Sequence, residues 1–258
     1  MTEDIKKAKV ICFSNHKGGV GKTCSTCNVG AGLARKGKKV LLIDLDPQSN
    51  LSMSLGLRDT VERNIYHVLR GERNIREVIY SIVENLDLIP ASLDLAGAEI
   101  ELSSETGREY ILREELEPIL DRYDYILIDC APSLGMLTTN AFTASSEVFI
   151  PLQAQYLSLQ GISKLTKIID KIKQRVNKKL TIGGILITQY DKRKVLNRDI
   201  SDAIEEHFAQ KVFRTRISDN VSLAEAPGKG QDIFRYNSKC KGAEDYLELC
   251  AEIISRHE

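Results

Sequence analysis

A short glycine-rich segment, Lys-Gly-Gly-Val-Gly-Lys-Thr at residues 17–23, has the residue types and the spacing that bind the phosphates of a nucleotide. Its three glycines allow the backbone to take positive φ angles and to turn N–H groups towards an anion. We expect Lys22 to reach the β- and γ-phosphates and the Thr23 hydroxyl to bind Mg²⁺. The strict motif has glycine at position 16, where this chain has histidine, and a second lysine, Lys17, stands at the head of the loop. The predicted nucleotide-binding residues of the loop are Lys17, Gly18, Gly19, Val20, Gly21, Lys22, Thr23 and Cys24.

Carboxylates follow two of the apolar runs. Asp44 and Asp46 close the run at 40–43, and Asp129 ends the run at 124–129. Because ligands in open α/β sheets bind beyond the carboxyl ends of the strands, we expect these acids to converge on the glycine-rich loop. Asp129 is expected to act on Mg²⁺ through a water molecule, whereas Asp46, further out than Asp44 on the same face, would orient or activate the attacking water. The alternative is that the acids cap helices or turns. The predicted metal-binding residues are Thr23, Asp129 and Asp44, and the predicted catalytic residues are Lys17, Asp46 and Lys22.

Apolar runs alternate with helical patterns along the chain, which is typical of an α/β fold. The run Val-Leu-Leu-Ile at 40–43 is continuously apolar, as buried parallel strands are. The sequence therefore predicts a single-domain P-loop NTPase over residues 1–258, in which a mostly parallel twisted sheet is flanked by helices and residues 1–8 form a polar lead-in. Predicted strands cover 9–14, 40–44, 85–90, 124–129, 147–151 and 181–188, with a further one at 211–213. Predicted helices cover 23–36, 64–70, 93–104, 109–122, 134–144, 157–176, 198–208 and 241–256.

The charges balance over the whole chain but not between its two parts. There are 36 basic and 36 acidic residues, so no global field attracts nucleic acid or membrane. Residues 151–258 carry 19 basic and 14 acidic residues, a net charge of +5, and residues 1–150 carry 17 and 22, a net charge of −5. The basic part is expected either to contain a face for an anionic partner or to consist of ordinary solvated helix surfaces.

The six cysteines are scattered, and there is neither a signal peptide nor an apolar run near 18 residues. We therefore expect a reduced, cytoplasmic protein that does not interact with a membrane. Cys24 and Cys27 form a C-x-x-C pair without a second such pair to complete a zinc site, and they are predicted to be small core-facing residues of a helix.

Seven segments together resemble the ParA/Soj family of partition ATPases, which have a deviant Walker A motif. They are 17–23, Leu-Ile-Asp-Leu-Asp-Pro-Gln at 42–48, Ile-Asp-Cys-Ala-Pro-Ser at 128–133, Ile-Pro-Leu-Gln at 150–153, Leu-Ile-Thr-Gln-Tyr-Asp at 186–191, Asn-Val-Ser-Leu-Ala-Glu-Ala at 220–226 and Lys-Gly-Ala-Glu-Asp-Tyr at 241–246. The resemblance covers residues 9–256 and is to the short form, which lacks an N-terminal helix-turn-helix.

The resemblance implies a weak, partner-stimulated ATPase that forms a homodimer with ATP and Mg²⁺. Lys17 would be the signature lysine that reaches the phosphates across the dimer. Asp46 would be the catalytic aspartate, Asp44 its neighbour, and Asp129 the residue that holds the Mg²⁺-bound water. At position 24 the family commonly has threonine, so the cysteine here weakens a hydroxyl contact to the α-phosphate. For adenine, Gln189 is a predicted base contact and the Pro227 loop a predicted wall.

The resemblance also implies nonspecific DNA binding, nucleoid association and a ParB-like centromere-binding partner that stimulates hydrolysis. Family members carry arginines near the segment 220–223, where this chain has Asp219 and Ser222. Because phosphate contacts need positive charge rather than one particular sequence, other basic residues are predicted to replace them. The candidates are Arg193, Lys194, Arg198, Arg214, Arg216 and Lys229, with Arg193 the first choice.

Three alternatives use a similar fold. A MinD-like membrane-cycling ATPase would need a basic amphipathic C-terminal helix, but the tail at 246–258 is acidic. An iron–sulfur ATPase would need cysteines that bridge a dimer or a C-terminal C-x-x-C, and neither Cys130 nor the pair Cys240 and Cys250 has that placement. A relative that positions a protein cluster instead of DNA remains open, as do the cargo and a chromosomal or plasmid origin.

Overall fold

A seven-stranded sheet organises the computed structural model, which describes residues 7–57, 61–155 and 158–258. Its strand order is β3-β4-β2-β5-β1-β6-β7. All neighbours are parallel except β3 and β4. The strands are β1 (Lys9–Phe13), β2 (Val40–Leu45), β3 (Tyr80–Val83), β4 (Leu86–Ile89), β5 (Tyr125–Cys130), β6 (Glu147–Gln153) and β7 (Thr181–Thr188).

Helices cover both faces of the sheet, and each face has its own apolar core. One core is formed by α3 (Ile65–Leu69), α4 (Leu95–Glu101), α5 (Ile111–Leu116), α6 (Met136–Ala144), α7 (Ser158–Arg175) and α8 (Val195–Phe208). The other is formed by α1 (Lys22–Arg35), α2 (Asn50–Ser54), α9 (Val221–Glu225), α10 (Ile233–Asn237) and α11 (Lys241–His257). Side chains of β2 and β5 are buried along their whole length, as expected for strands covered on both faces.

Strand register brings the predicted site residues to one edge of the sheet. β1 lies between β5 and β6, and β2 lies on the other side of β5. Phe13 pairs with Asp129, and Asp129 pairs with Asp44, so the loop after β1 and both acids lie at the same level. The connection from β1 runs through α1 to β2 on one side of it, whereas the connection from β5 runs through α6 to β6 on the other side. Open α/β sheets bind ligands where connections diverge in this way.

The predicted α/β fold is confirmed, with corrections at three places. The strand predicted at 211–213 is wrong: residues 209–211 form a 3-10 turn, and Val212 makes one isolated bridge to Ile185. The antiparallel edge strand β3 and the short helices α2, α9 and α10 were not predicted, because four or five residues are too few to show a period. The predicted helices at 93–104 and 109–122 are shorter α-helices that continue as 3-10 turns. Residues 1–6 of the polar lead-in and residue 157 of the predicted helix at 157–176 lie outside the described residues.

Among the described residues, none of the helices combines the length and the apolar character that crossing a bilayer requires.

Beyond β7, residues 212–218 lie against the sheet edge without forming a regular strand. The amides of Phe213 and Ile217 donate to the carbonyls of Ile185 and Ile187, both at 2.9 Å. Outward-facing amides of Arg214 and Thr215 donate to the Glu252 carboxylate of α11 at 2.9 and 3.1 Å. This edge is therefore covered by a side chain and is closed to pairing with another strand.

We predict that Gly184→Ala destabilises this edge. A Cβ built on Gly184 lies 2.0 Å from the Phe213 ring, and that ring is held edge-on against Phe149 with the Arg256 guanidinium over its face. Overpacking a filled core costs about 1–3 kcal/mol of unfolding free energy, to be measured by urea denaturation. Gly97→Ala in α4, where a Cβ meets only the end of Glu101 at 3.7 Å, is the control and should be neutral or stabilising. Equal stability of the two variants would show that Phe213 moves freely.

Candidate functional site

The glycine-rich loop connects β1 to α1, and part of its backbone faces open space. Gly19 and Gly21 have φ of 73° and 83°, which is the region that favours glycine. A Cβ on Gly18 or Gly19 would meet nothing within 4 Å, so this side of the loop faces open space. Among the described residues, the amides of Gly18 and Gly19 have no hydrogen-bond acceptor. The loop thus has the free backbone donors that an anion needs.

Lys22, Thr23 and Asp129 meet where the loop becomes a helix. The Thr23 hydroxyl donates to Asp129 Oδ2 at 2.7 Å, and Lys22 Nζ donates to the Lys17 carbonyl at 3.3 Å. Burial raises the pKa of Asp129 well above its usual range, an effect that the neighbouring Asp44 carboxylate increases. Burial lowers the pKa of Lys22, and the negative charge of Asp129 opposes that shift. The lysine, the hydroxyl and the carboxylate are therefore close together, as the sequence predicts for a phosphate and Mg²⁺ site.

Asp44 is fully buried and holds the chain around Asp46 in place. Its Oδ1 accepts the amide of Asp46 at 3.2 Å, and its Oδ2 accepts the amide and hydroxyl of Ser52 at 2.8 and 2.7 Å. The Ser52 hydroxyl in turn accepts the Ala91 amide at 3.2 Å, which links the loop after β4. Burial raises the pKa of Asp44 to about 6, against the hydrogen bonds from Ser52. These contacts make Asp44 a positioning residue for Asp46; its binding to metal stays a prediction.

Asp46 lies just beyond β2 and is 6% exposed. Its Oδ1 accepts the Gln48 amide at 2.9 Å, which fixes the carboxylate against its own loop. Ser49, three residues on, has a φ of 53° and a buried hydroxyl that lacks a partner among the described residues. Backbone strain and unsatisfied polar atoms collect at functional sites, so the loop 46–49 has the features of one.

Three glutamines at or just beyond the ends of β6 and β7 hold the glycine-rich loop from outside. Gln153 Nε2 and Gln189 Nε2 each donate to the Gly19 carbonyl at 3.0 Å, and Gln153 Nε2 also donates to Gln189 Oε1 at 2.5 Å. Lys17 Nζ donates to Gln155 Oε1 at 2.7 Å. The predicted adenine contact Gln189 is thus engaged with the loop, with a φ of 50°, and its contact to a base stays a prediction.

Cys24 and Pro227 lie at the margins of the site. The Cys24 thiol accepts a hydrogen bond from Asn28 Nδ2 at 3.4 Å and lies 3.6 Å from the Tyr246 hydroxyl. Because Tyr246 belongs to α11, the thiol faces the contact between α1 and α11. Cys27 is buried, in agreement with its predicted core position. Pro227 is the second residue of a 3-10 turn, Ala226–Lys229, which is followed by the C-cap residue Gly230.

Three of the six predicted DNA-binding cations lie within ion-pair distance of an acid. Arg193 contacts Asp191 at 2.9 Å through two nitrogens. Lys194 lies 4.0 Å from Asp219. Arg216 pairs with Glu205 and stacks over Tyr190. The other three, Arg198, Arg214 and Lys229, are exposed without an ion pair among the described residues.

ATP and Mg²⁺ fit these residues. Lys22 and the open loop suit a triphosphate, and Thr23 with Asp129 suits an octahedral ion that keeps most of its waters. Within the described ranges, no group of three or more His, Cys, Asp or Glu side chains is arranged as a metal cage, and a Mg²⁺ ion held mainly by phosphates and water needs none.

Sequence reasoning missed Ser52, Gln153 and Gln155; only Gln153 had a signal, as the last residue of the segment 150–153.

Comparisons with known proteins agree with this geometry. The family model of the AAA domain matches residues 8–182. The chromosome-partitioning ATPase Soj of Treponema pallidum is 46% identical over 96% of this chain and 98% of its own length. The chromosome partitioning protein ParA of Myxococcus xanthus is 42% identical over 96% of this chain and 88% of its own. Among solved structures, cobyrinic acid a,c-diamide synthase of Mycobacterium smegmatis, with bound ATP analogue and magnesium, superposes with a TM-score of 0.86 at 33% identity, over 97% of this chain and 96% of that one.

We predict that Ser52→Ala slows ATP hydrolysis. The change removes the hydroxyl that joins Asp44 to the Ala91 amide, so Asp46 is held less firmly. Because small displacements of a reacting group are costly, kcat should fall about tenfold or more while ATP affinity stays nearly constant. Steady-state hydrolysis and nucleotide titration measure the two quantities.

Ser54→Ala is the matched control, since the Ser54 hydroxyl donates at 2.6 Å to the Asn50 carbonyl of its own helix. Equal kcat for the two variants would remove Ser52 from the positioning of Asp46.

Proposed function

Because this chain belongs to the Soj/ParA family of partitioning ATPases, we propose that it is an ATP-driven switch for DNA segregation whose dimer binds nonspecific DNA and is reset by a ParB-like partner. The chain is an ATPase that uses ATP and Mg²⁺. The proposal covers residues 1–258 as one ATPase domain in the cytoplasm, associated with the nucleoid.

The hydrogen bond from Thr23 to Asp129, beside Lys22 at the open loop, is the observation that carries the ATPase assignment. Bound Mg²⁺ would supply positive charge that neutralises the phosphates. Thr23 and Asp129 would hold that ion and its water, and Lys22 would bind the β- and γ-phosphates. Asp46, fixed by Gln48 and Asp44, would orient the attacking water.

Lys17 is the proposed residue that acts across the dimer. In this chain its ammonium group donates to the neutral amide oxygen of Gln155 rather than to a carboxylate, so no ion pair has to be broken when it moves to a phosphate. Across a dimer interface its charge would neutralise the charge that develops on the γ-phosphate. The relatives' role in partitioning supports the dimer, DNA and the ParB-like partner as components of the same cycle.

The proposal predicts ATP-dependent DNA binding by Asp46→Ala. Without the water-orienting carboxylate, this variant should bind ATP, persist as a dimer and not turn over. With ATP it should bind a random-sequence duplex, and the affinity should fall steeply as salt rises, because contacts to phosphates release counterions. With ADP it should not bind. Anisotropy across a salt series measures this.

Normal hydrolysis by Asp46→Ala would refute its catalytic role. Absence of DNA binding in both nucleotide states would leave the ATPase intact and refute the DNA-carrier mechanism.

Lys17→Ala should separate ATP binding from stimulated hydrolysis. The variant keeps Lys22 and the open loop, so its affinity for ATP should stay close to that of the unchanged protein. Turnover in the presence of the partner should not rise above the basal rate, since the charge supplied across the dimer is missing. Gln155→Ala, which removes only the resting contact of Lys17, is the control and should still be stimulated. Full stimulation of Lys17→Ala would contradict the role across the dimer.

A further inference from the structure

The positive charge of the C-terminal part is concentrated in α7 and the turn after it. Residues 164–179 contain seven basic residues and one acid, Asp170, a net charge of +6. Since residues 151–258 as a whole have a net charge of +5, the remainder of that part carries 12 basic and 13 acidic residues, a net charge of −1. The charge asymmetry between the two parts of the chain is thus a property of one helix.

Four of these cations form a single row on the solvent side of α7. Lys164, Lys167, Lys171 and Arg175 are all exposed. At 3.6 residues per turn they fall within an arc of about 80° and extend over about 16 Å along the helix axis. Asp170 lies about 60° outside this arc. We call these four residues the α7 row.

The α7 row has no counter-charges of its own. Among the described residues, none of its four members forms an ion pair with an acid. By contrast, Arg193 and Arg216, two of the cations around α8, are paired with Asp191 and Glu205. A cation that is already paired has to give up its partner to bind a phosphate, whereas the α7 row exchanges only water and counterions.

The apolar side of α7 is packed against the core of the protein. Ile162, Leu165 and Ile169 are buried in the core against the sheet. A helix that lies on a membrane inserts its apolar face, and here that face is occupied by the fold. Binding through the α7 row is therefore electrostatic, and a duplex presents about ten phosphate charges over a 16 Å length of its axis.

α7 is also in contact with the phosphate loop. A Cβ on Gly161, near its start, would lie 2.7 Å from the imidazole of His16, which directly precedes Lys17. The row therefore lies on an element that touches the nucleotide site.

We propose that the α7 row is the surface that binds the phosphate backbone of nonspecific duplex DNA. The inference rests on the proposed function and names the surface for it. It replaces Arg193 as the first choice, because the Arg193 guanidinium is held by Asp191.

The test removes three charges from the row and three from elsewhere. Lys164, Lys167 and Lys171 are changed together to glutamine, and the control changes the exposed Lys9, Lys36 and Lys39 to glutamine, so that both triple variants lose the same charge. Both are combined with Asp46→Ala to hold the ATP state. Affinity for a random-sequence duplex is measured with ATP across a salt series. The fold is verified by Tm and by the basal ATPase activity of each triple variant made in protein that retains Asp46.

The α7 triple should bind the duplex about tenfold or more weakly, and the slope of log K against log salt should fall by about three, while the control keeps both. An equal loss in the two triples, or wild-type affinity in the α7 triple, would overturn the α7 row and leave DNA binding itself in place. No duplex binding by the parent protein in either nucleotide state would instead refute the proposed DNA function and this surface with it. Row-dependent binding to phosphatidylglycerol vesicles that exceeds binding to the duplex would overturn DNA as the partner.

Discussion

Burial of like charges at one edge of the sheet is the constraint on which the site depends. Asp44 and Asp129 lie side by side on β2 and β5, both fully buried, and each carboxylate is destabilised by loss of water. Hydrogen bonds from Ser52 to Asp44 and from Thr23 to Asp129 offset part of that cost. Because those donors come from α2 and α1, the two helices have to be placed precisely at the strand ends. A cation beside Asp129 would favour its charged form, so the site is built to be completed by Mg²⁺.

α2 connects this pair of acids with a distant loop. Its first turns carry Ser52, and its end approaches the turn after α9: a Cβ on Gly230 would lie 2.9 Å from the Cα of Gly56. Both glycines have positive φ, which favours glycine at each position, and the close approach at Gly230 leaves no room for a Cβ there. Gly230 caps the 3-10 turn Ala226–Lys229, which contains Pro227, the predicted adenine wall. A backbone contact therefore joins that turn to the end of α2, and hydrogen bonds from Ser52 of α2 join it to Asp44, which in turn accepts the Asp46 amide.

The sequence was sufficient for those parts of the fold whose cause is local. The glycine loop, the apolar run that ends at Asp44 and the one that ends at Asp129 were predicted because residue type and spacing determine them. Hydrogen-bond partners that arrive through tertiary structure were not: the donor Ser52 and the acceptor Gln155 have no local pattern that marks them. The segment 212–218 shows the same limit, since its backbone is bonded to β7 on one side and to Glu252 on the other, and neither partner is near it in sequence.

The basic residues that are free to bind DNA were the hardest feature to predict from the sequence, because a count of cations does not show which of them are paired with acids. Arg193 was the first choice for DNA on its position in the chain, yet Asp191, two residues before it, accepts two of its N–H groups and its amide. Local pairing of this kind keeps a side chain near the surface without leaving its charge free. On α7 the spacing of three and four residues places cations on one face and keeps the single acid off it. With a net charge of zero, the chain has no long-range attraction for DNA, so any binding has to come from such a face and has to weaken with salt.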